Sequence, residues 1–343
     1  MNILKYICLP GLLVSGDIQT VSAVESKTDK NPNILVILID DAGYNDFGFM
    51  GSKEMQTPNI DALTSEGVVF TDAHVAATLS SPSRACLITG RYGHRFGYEC
   101  NLSDRTNGLP LEEETIAEVF KTNGYRTAAI GKWHLGSRDE QHPNNRGFDL
   151  FYGMKAGGRD YFYNEKKSDR PGDERNLLLN DRQVKFEKYL TDAFSEKAVE
   201  FINESSQPFM MYLAYNAVHT PMQATDEDMA KFEGHPRQKL AAMTYALDRG
   251  VGTVIRGLKD SGKFDNTLIF FLSDNGGATT NQSSNYPLKG FKGNKFEGGH
   301  RVPYFVVWKN GIPAGKPYDG LVSSLDIFAT AIDAASISKT RNR

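Results

Sequence analysis

Cysteine is nearly absent, with Cys8, Cys86 and Cys100 in a chain of 343 residues, too few for a disulfide framework. Neither sign of charge prevails. Thirty-nine Lys and Arg face 42 Asp and Glu, a net charge of -3, so the basic excess of a nucleic-acid-binding surface is missing. No apolar run approaches the roughly 20 residues of a membrane-spanning helix, and there is neither an internal repeat nor a low-complexity tract. An apolar share of 40% and a charged share of 24% exclude an intrinsically disordered chain. The length allows two domains or one large α/β domain with a sizeable core. Glycine, by contrast, is plentiful at 32 residues, which points to many tight turns and away from a helical bundle.

The N-terminus stands apart. Residues 1–5 carry positive charge, residues 6–14 are a short apolar run containing Pro10, and Val21-Ser22-Ala23 offers the small residues of a cleavage site. This pattern predicts a cleaved secretory signal peptide at 1–23, followed by a linker at 24–32, and hence a periplasmic or secreted protein. A disordered N-terminal tail is the alternative. After cleavage, Cys86 and Cys100 allow at most one optional disulfide.

Residues 33–39 (NILVILI) form a continuous branched apolar run between Pro32 and Asp40-Asp41, the mark of a buried parallel strand. Further strands are predicted at 125–130, 209–215, 267–272 and 302–308, and helices at 111–123, 190–202, 240–258 and 325–335. The helix at 111–123 rests on Leu111, Ile116, Val119 and Phe120, with acids in its first turn and Gly124 as its stop. Alternating strands and helices predict an α/β fold with a mostly parallel central sheet and helices on both faces. Ligands of such sheets sit beyond the carboxyl ends of the strands. Residues 137–188 lack periodicity and read as a long surface excursion, which in a compact domain is commonly functional.

Asp40 and Asp41 directly follow the first strand, and Asp274-Asn275-Gly276-Gly277 follows the strand ending at Leu272. Oxygen-bearing side chains converging on one sheet edge suit a hard divalent cation, although each element alone is more often a helix cap or turn. The segment Ser80 to Arg91 (SSPSRACLITGR) places a hydroxyl before a Pro-initiated helix with Arg84 one turn on. The free N–H groups and positive dipole end of such a helix suit an anionic group. An ordinary Ser-capped helix is the plainer reading.

In this segment the chain resembles the type I sulfatases of the alkaline phosphatase-like superfamily. Their signature is Cys or Ser, any residue, Pro-Ser-Arg, and a few residues later Leu-x-Thr-Gly-Arg, which this sequence matches from Ser80 to Arg91. The resemblance runs from about residue 33 to about residue 335 and implies a catalytic domain at 33–337. It implies that Ser80 is the position oxidised to formylglycine. It also implies that Asp40, Asp41, Asp274 and Asn275 hold one calcium ion together with residue 80. Gly131-Lys132-Trp133-His134 matches the family's Gly-Lys-Trp-His motif, and Ala217-Val218-His219-Thr220-Pro221 matches the segment with the leaving-group histidine. Lys292 opens the stretch whose first lysine reaches the sulfate. Lys132 and His134, two apart, would face one side of an extended chain.

The implied chemistry is consistent with these residue types. A sulfate ester needs its developing charge neutralised, as a metal ion and two ammonium groups would do. A hydroxyl of the hydrated aldehyde attacks sulfur with Asp274 as base, His219 protonates the leaving alkoxide, and His134 takes the proton that lets sulfate depart. Arg84 holds the diol and the metal shell. Because position 80 is Ser and not Cys, the resemblance implies a radical-type, serine-oxidising maturase as a partner.

Further candidates are His300 and Arg301 as substrate contacts and Tyr161, with Phe162 and Tyr163, as a face stacking on a sugar. Backbone satisfaction of His300 and pinning of the loop by the aromatics are the plainer readings. His94 and Arg95 are structural or subsite residues, and Cys86 is a packing residue. The expected substrate is a sulfated carbohydrate, with no nucleic acid and no membrane span. The other readings are a phosphodiester or phosphonate hydrolase on the same scaffold, and a glycan-binding pseudoenzyme. Family members continue into a smaller C-terminal subdomain. Here it is expected to be short or missing, with a polar tail at 338–343, an apolar patch on the sheet's flank and a pocket open on one side.

Overall fold

A strand apolar along its whole length must be covered on both faces, and β1 (Asn33–Ile39) is buried at every residue. In the computed structural model, which describes residues 31–101 and 108–338, Leu35, Ile37 and Ile39 enter one apolar cluster. Ile34, Val36 and Leu38 enter the other, as the period-two alternation of a strand requires. The expected signal peptide and most of the expected linker and polar tail lie outside the described residues.

Along the chain follow β2 (Val68–Phe70), β3 (Ala73–His74), β4 (Arg126–Lys132), β5 (Leu150–Met154), β6 (Leu178–Leu179), β7 (Arg182–Gln183), β8 (Phe209–Ala214), β9 (Thr267–Ser273), β10 (Tyr304–Val307) and β11 (Val322–Ser323). The helices are α1 (Pro58–Thr64), α2 (Ser80–Thr89), α3 (Ile116–Thr122), α4 (Leu190–Glu204), α5 (Asp226–Lys231), α6 (Gln238–Asp260), α7 (Glu297–His300) and α8 (Asp326–Ala334). Nine strands form one sheet in the order β2-β10-β9-β1-β8-β4-β5-β6-β7. Its five central strands, β9-β1-β8-β4-β5, are parallel, and antiparallel pairings extend both edges. This is the expected α/β architecture. Leu190, Phe194, Leu240 and Val251 bring α4 and α6 onto one face; Leu87, Phe120 and Ile327 bring α2, α3 and α8 onto the other. Among the described residues no helix is long and apolar enough to cross a membrane.

The register positions the site. Ile39 pairs with Ser273, Leu38 with Ala214, and Ala214 with Gly131. Residues 40–41, 274–275, 216–219 and 132 therefore leave the sheet side by side at its carboxyl edge.

Several expectations change. The helix expected from residue 111 starts at Ile116 because Thr115 builds a capping box. Its hydroxyl accepts Glu118 N–H at 3.1 Å, and the Glu118 carboxylate accepts Thr115 N–H at 2.7 Å, which fixes the start downstream of Leu111. The segment 137–188 is not wholly a surface excursion, since β5 lies within it, paired to β4. Gly153 permits that pairing: a Cβ there would stand 1.9 Å from the Gly131 carbonyl oxygen. Cys86 is a buried free thiol whose pKa burial pushes up to about 11, and Cys100 is a free exposed thiol, so the optional disulfide is not formed.

Candidate active site

Leu79 is extended (φ -129°, ψ 150°) and α2 begins at Ser80, which makes Ser80 the first helical residue and not the cap. Its side chain is 1% exposed. Ser80 Oγ lies 3.2 Å from Asp40 Oδ1, 3.1 Å from Asn275 Oδ1 and 3.5 Å from Lys292 Nζ. A single hydroxyl proton can serve only one of the two oxygens at a time. The turn after β1, the turn after β9 and the start of α2 thus meet at this atom.

Three buried carboxylates are matched by three cations. Arg84 Nε and an Nη donate to Asp274 Oδ2 at 3.0 and 2.8 Å, and its other Nη donates to the Lys132 carbonyl at 3.1 Å. Lys132 Nζ donates to Asp40 Oδ2 at 2.6 Å, and Lys292 Nζ to both oxygens of Asp41 at 2.6 and 2.9 Å. Burial pushes the Asp40 carboxyl up, but Lys132, His219 and Arg84 outweigh it and hold it below the usual carboxylate range. Asp41 has a left-handed backbone (φ 62°), a conformation that Asp tolerates better than most residues. Its carbonyl is held there by Asn281 Nδ2 at 3.1 Å and Ser283 Oγ at 3.0 Å.

Asp40, Asp41, Asp274, the Asn275 amide oxygen and Ser80 Oγ make an all-oxygen donor set, which fits a hard divalent cation such as calcium. Asp40 and Asp41 also present oxygens within 4.8 Å of a nitrogen of His219.

Two histidines flank this centre. His219 Nδ1 donates to the Thr220 carbonyl at 2.6 Å, and its Nε2 faces Asp41 Oδ2 at 3.7 Å. A carbonyl only accepts, so Nδ1 carries a proton and Nε2 is the atom presented to the site. His134 also has a left-handed backbone (φ 59°). The alternation expected from extended chain therefore does not place it; β4 ends at Lys132, and bonds from His134 N–H to the Lys155 carbonyl and from Ser81 Oγ to the His134 carbonyl hold the turn. Burial, then Lys132, Arg84 and Lys292, hold the His134 ring well below the ordinary histidine range, so it is neutral near pH 7. Among the described residues its Nδ1 has no hydrogen-bond partner.

Tyr161 is no stacking platform. It is fully buried and stacked on Tyr189, and its hydroxyl sits between the carbonyls of Asn216 (2.6 Å) and His219 (2.9 Å). It holds the turn that carries His219. Arg301 is engaged by the Thr71 carbonyl at 3.0 and 2.7 Å, and His300 faces His74. Sequence reasoning passed over Gly157, where a Cβ would meet His134 Nε2 at 2.7 Å, and Tyr212, whose hydroxyl lies 3.4 Å from Arg84. The Gly157-Gly158 pair was the only local signal. Beside His219 opens a cleft of 340 Å³ whose walls include Gly158, Asp160, Lys167, Arg175 and Thr220.

The chain matches the family described as Sulfatase over residues 32–337. It belongs to that family, and its fold is that of an alkaline phosphatase-like sulfatase. It is 34% identical to the uncharacterized sulfatase YdeN of Escherichia coli K12, over 92% of this chain and 64% of that protein. It is 33% identical to the N-acetylgalactosamine-6-sulfatase of Canis lupus familiaris, over 91% and 64%. The crystal structure of Ps i-CgsB in complex with k-i-k-neocarrahexaose is similar with a TM-score of 0.85 and 44% identity, over 90% of this chain and 73% of that one. The chain thus spans slightly less than two thirds of the length of these two curated relatives.

Proposed function

We propose that this protein hydrolyses the sulfate ester of a carbohydrate, with Ser80 oxidised to formylglycine and one calcium ion bound. The observation that carries this reading is the position of Ser80 Oγ among Asp40, Asn275 and Lys292, with a histidine on either flank. Asp40, Asp41, Asp274, Asn275 and residue 80 would hold the cation, which supplies charge neutralisation for a sulfate oxygen. The aldehyde hydrate at residue 80 supplies a nucleophilic hydroxyl and a second one for release of sulfate, which an unmodified serine lacks.

The remaining roles fall to the chain's own side chains. Lys132 and Lys292 bind sulfate oxygens, exchanging part of their contact with Asp40 and Asp41 for the anion. Arg84 fixes Asp274 through two bonds to Oδ2, while Oδ1 accepts the Asp41 N–H at 3.2 Å on the side of the nucleophile's cation site. His219 Nε2 delivers a proton to the departing sugar oxygen, and neutral His134 accepts one. The cleft beside His219 carries Asp160, Lys167, Ser168 and Arg175 in its walls, side chains able to hydrogen-bond sugar hydroxyls. Carbohydrates also stand in the relatives' names, as the N-acetylgalactosamine-6-sulfatase and as Ps i-CgsB in complex with k-i-k-neocarrahexaose. The N-terminal pattern supports a periplasmic or secreted location, and the serine at position 80 supports maturation by a radical-type serine oxidase.

The test is a desulfation screen of matured protein against sulfated oligosaccharides, sulfated phenols and phosphonate monoesters, with calcium and after chelation. Calcium-dependent sulfate release from oligosaccharides supports the reading. Turnover of phosphonates alone, or calcium-dependent glycan binding without turnover, refutes it.

A further inference from the structure

Away from Ser80, where β3 runs beside α7, His74 Nδ1 and His300 Nδ1 face each other at 2.9 Å. His74 Nε2 lies 2.9 Å from Asp72 Oδ1, and the Lys295 backbone lies beside the His300 ring. A carboxylate only accepts, so His74 in its neutral form keeps its proton on Nε2 and turns a bare Nδ1 lone pair toward His300. That lone pair takes either a proton from the His300 ring or a metal ion shared with it. Glu297 completes the group: one ligand atom from each of His74, Glu297 and His300 lies within 4.8 Å of the others.

The two sides are held by backbone bonds, Val75 N–H to the His300 carbonyl at 2.8 Å and Val302 N–H to the Ala73 carbonyl at 2.9 Å. Arg301 reaches Glu297 at 3.2 Å and Asp72 at 3.4 Å and steadies both carboxylates. Glu297 is exposed and the rings are half-buried, which leaves an entry path from solvent.

We propose that His74, His300 and Glu297 form a second cation site, for zinc or a similar borderline transition metal, with Asp72 orienting His74 and water filling the outward position. Two imidazoles and one carboxylate favour such a metal over calcium or magnesium, the reverse of the all-oxygen cluster at Asp40 and Asp41. Two nitrogens bound tetrahedrally to one zinc stand about 3.3 Å apart, so the rings need separate by only a few tenths of an ångström. The carboxylate behind His74 fixes its tautomer and ring orientation, as outer partners of metal-bound histidines do. Glu297 and Asp72 balance the charge of the ion. When filled, the site would clamp the strand leading into the Ser80 helix to the segment following Lys292.

The test is titration of the chelator-treated full chain with Co2+ alone, in saturating calcium, followed by optical absorption. The expected result is one equivalent of bound cobalt with visible bands of a nitrogen-containing shell, displaced by zinc. His74→Ala and His300→Ala each weaken binding at least tenfold, Asp72→Asn weakens it about tenfold, and Asp41→Asn leaves the bands in place. If His300→Ala fails to fold, His300→Gln, which keeps a polar side chain of similar size, carries the same expectation. Absence of saturable one-to-one cobalt binding, or binding that survives loss of both histidines, overturns the proposal.

Discussion

Replacing Arg84 by methionine keeps the length and most of the volume of the side chain and removes its charge and donors. Asp274 then loses two charge-assisted bonds of 3.0 and 2.8 Å, and Asp40 loses a guanidinium at 3.6 Å, in a setting where all three side chains are completely buried. Charged hydrogen bonds contribute about 1.5–3 kcal/mol each, and breaking a buried ion pair from one side costs about 3–5 kcal/mol. The lower figure already exceeds what repacking of methionine against Tyr212 regains. For a domain of this size each kcal/mol moves the melting temperature by about 2 °C, so Arg84→Met should melt about 6–10 °C below the unmutated protein. Arg84→Lys retains charge but cannot reach Asp274 and the Lys132 carbonyl together, and should fall between the two. Thermal unfolding followed by calorimetry in the presence of chelator reads the difference directly. Melting of Arg84→Met within 2 °C of the parent would show that the cluster is not held by this residue.

Three further outcomes follow from the same geometry. Gly157→Ala drives a methyl group against His134 Nε2, at 2.7 Å before relaxation, and should lower the rate of desulfation by about tenfold to a hundredfold while the melting temperature stays within about 2 °C; unchanged turnover would separate Gly157 from the function of His134. Tyr161→Phe leaves the carbonyls of Asn216 and His219 without their donor, costing about 1–3 kcal/mol, and should slow sugar sulfates more than activated phenyl sulfates, which need no proton on the leaving oxygen; equal losses would dissociate Tyr161 from the placement of His219. Because His134 is held neutral when folded but titrates near 6.5 when unfolded, stability is full above that pH and declines below it by about 1 kcal/mol per pH unit; His134→Asn should lack this part of the acid slope in denaturant midpoints, and identical slopes would refute the assignment.

The fold was legible wherever burial on both faces of the sheet demanded continuous apolar runs, as in β1, β8 and β9. β5 was not, because five residues interrupted by Gly153 carry no period, and its place depends on contact with Gly131. α3 was displaced because one capping box outweighs an apolar residue at 111. In the site, the acids after β1 and β9 could be read from their position after strands. The roles of Asn281, Tyr212 and Gly157 could not, since each acts through a partner distant in sequence. For Tyr161 the plainer of the two readings holds: an aromatic in a loop looks the same in sequence whether it faces a ligand or, as Tyr161 does, lies buried against Tyr189.

The central claim is that oxidised Ser80 at the start of α2 is the nucleophilic position of a carbohydrate sulfatase. The direct measurement pairs the mass of the Ser80 peptide with the rate of sulfate release from a sulfated oligosaccharide, for protein made with and without a radical-type serine-oxidising maturase. The account predicts a peptide lighter by the hydrogens lost on oxidation and reactive toward hydrazine, together with turnover, only when the maturase is present. Full turnover by protein whose Ser80 peptide keeps the unmodified mass would contradict it.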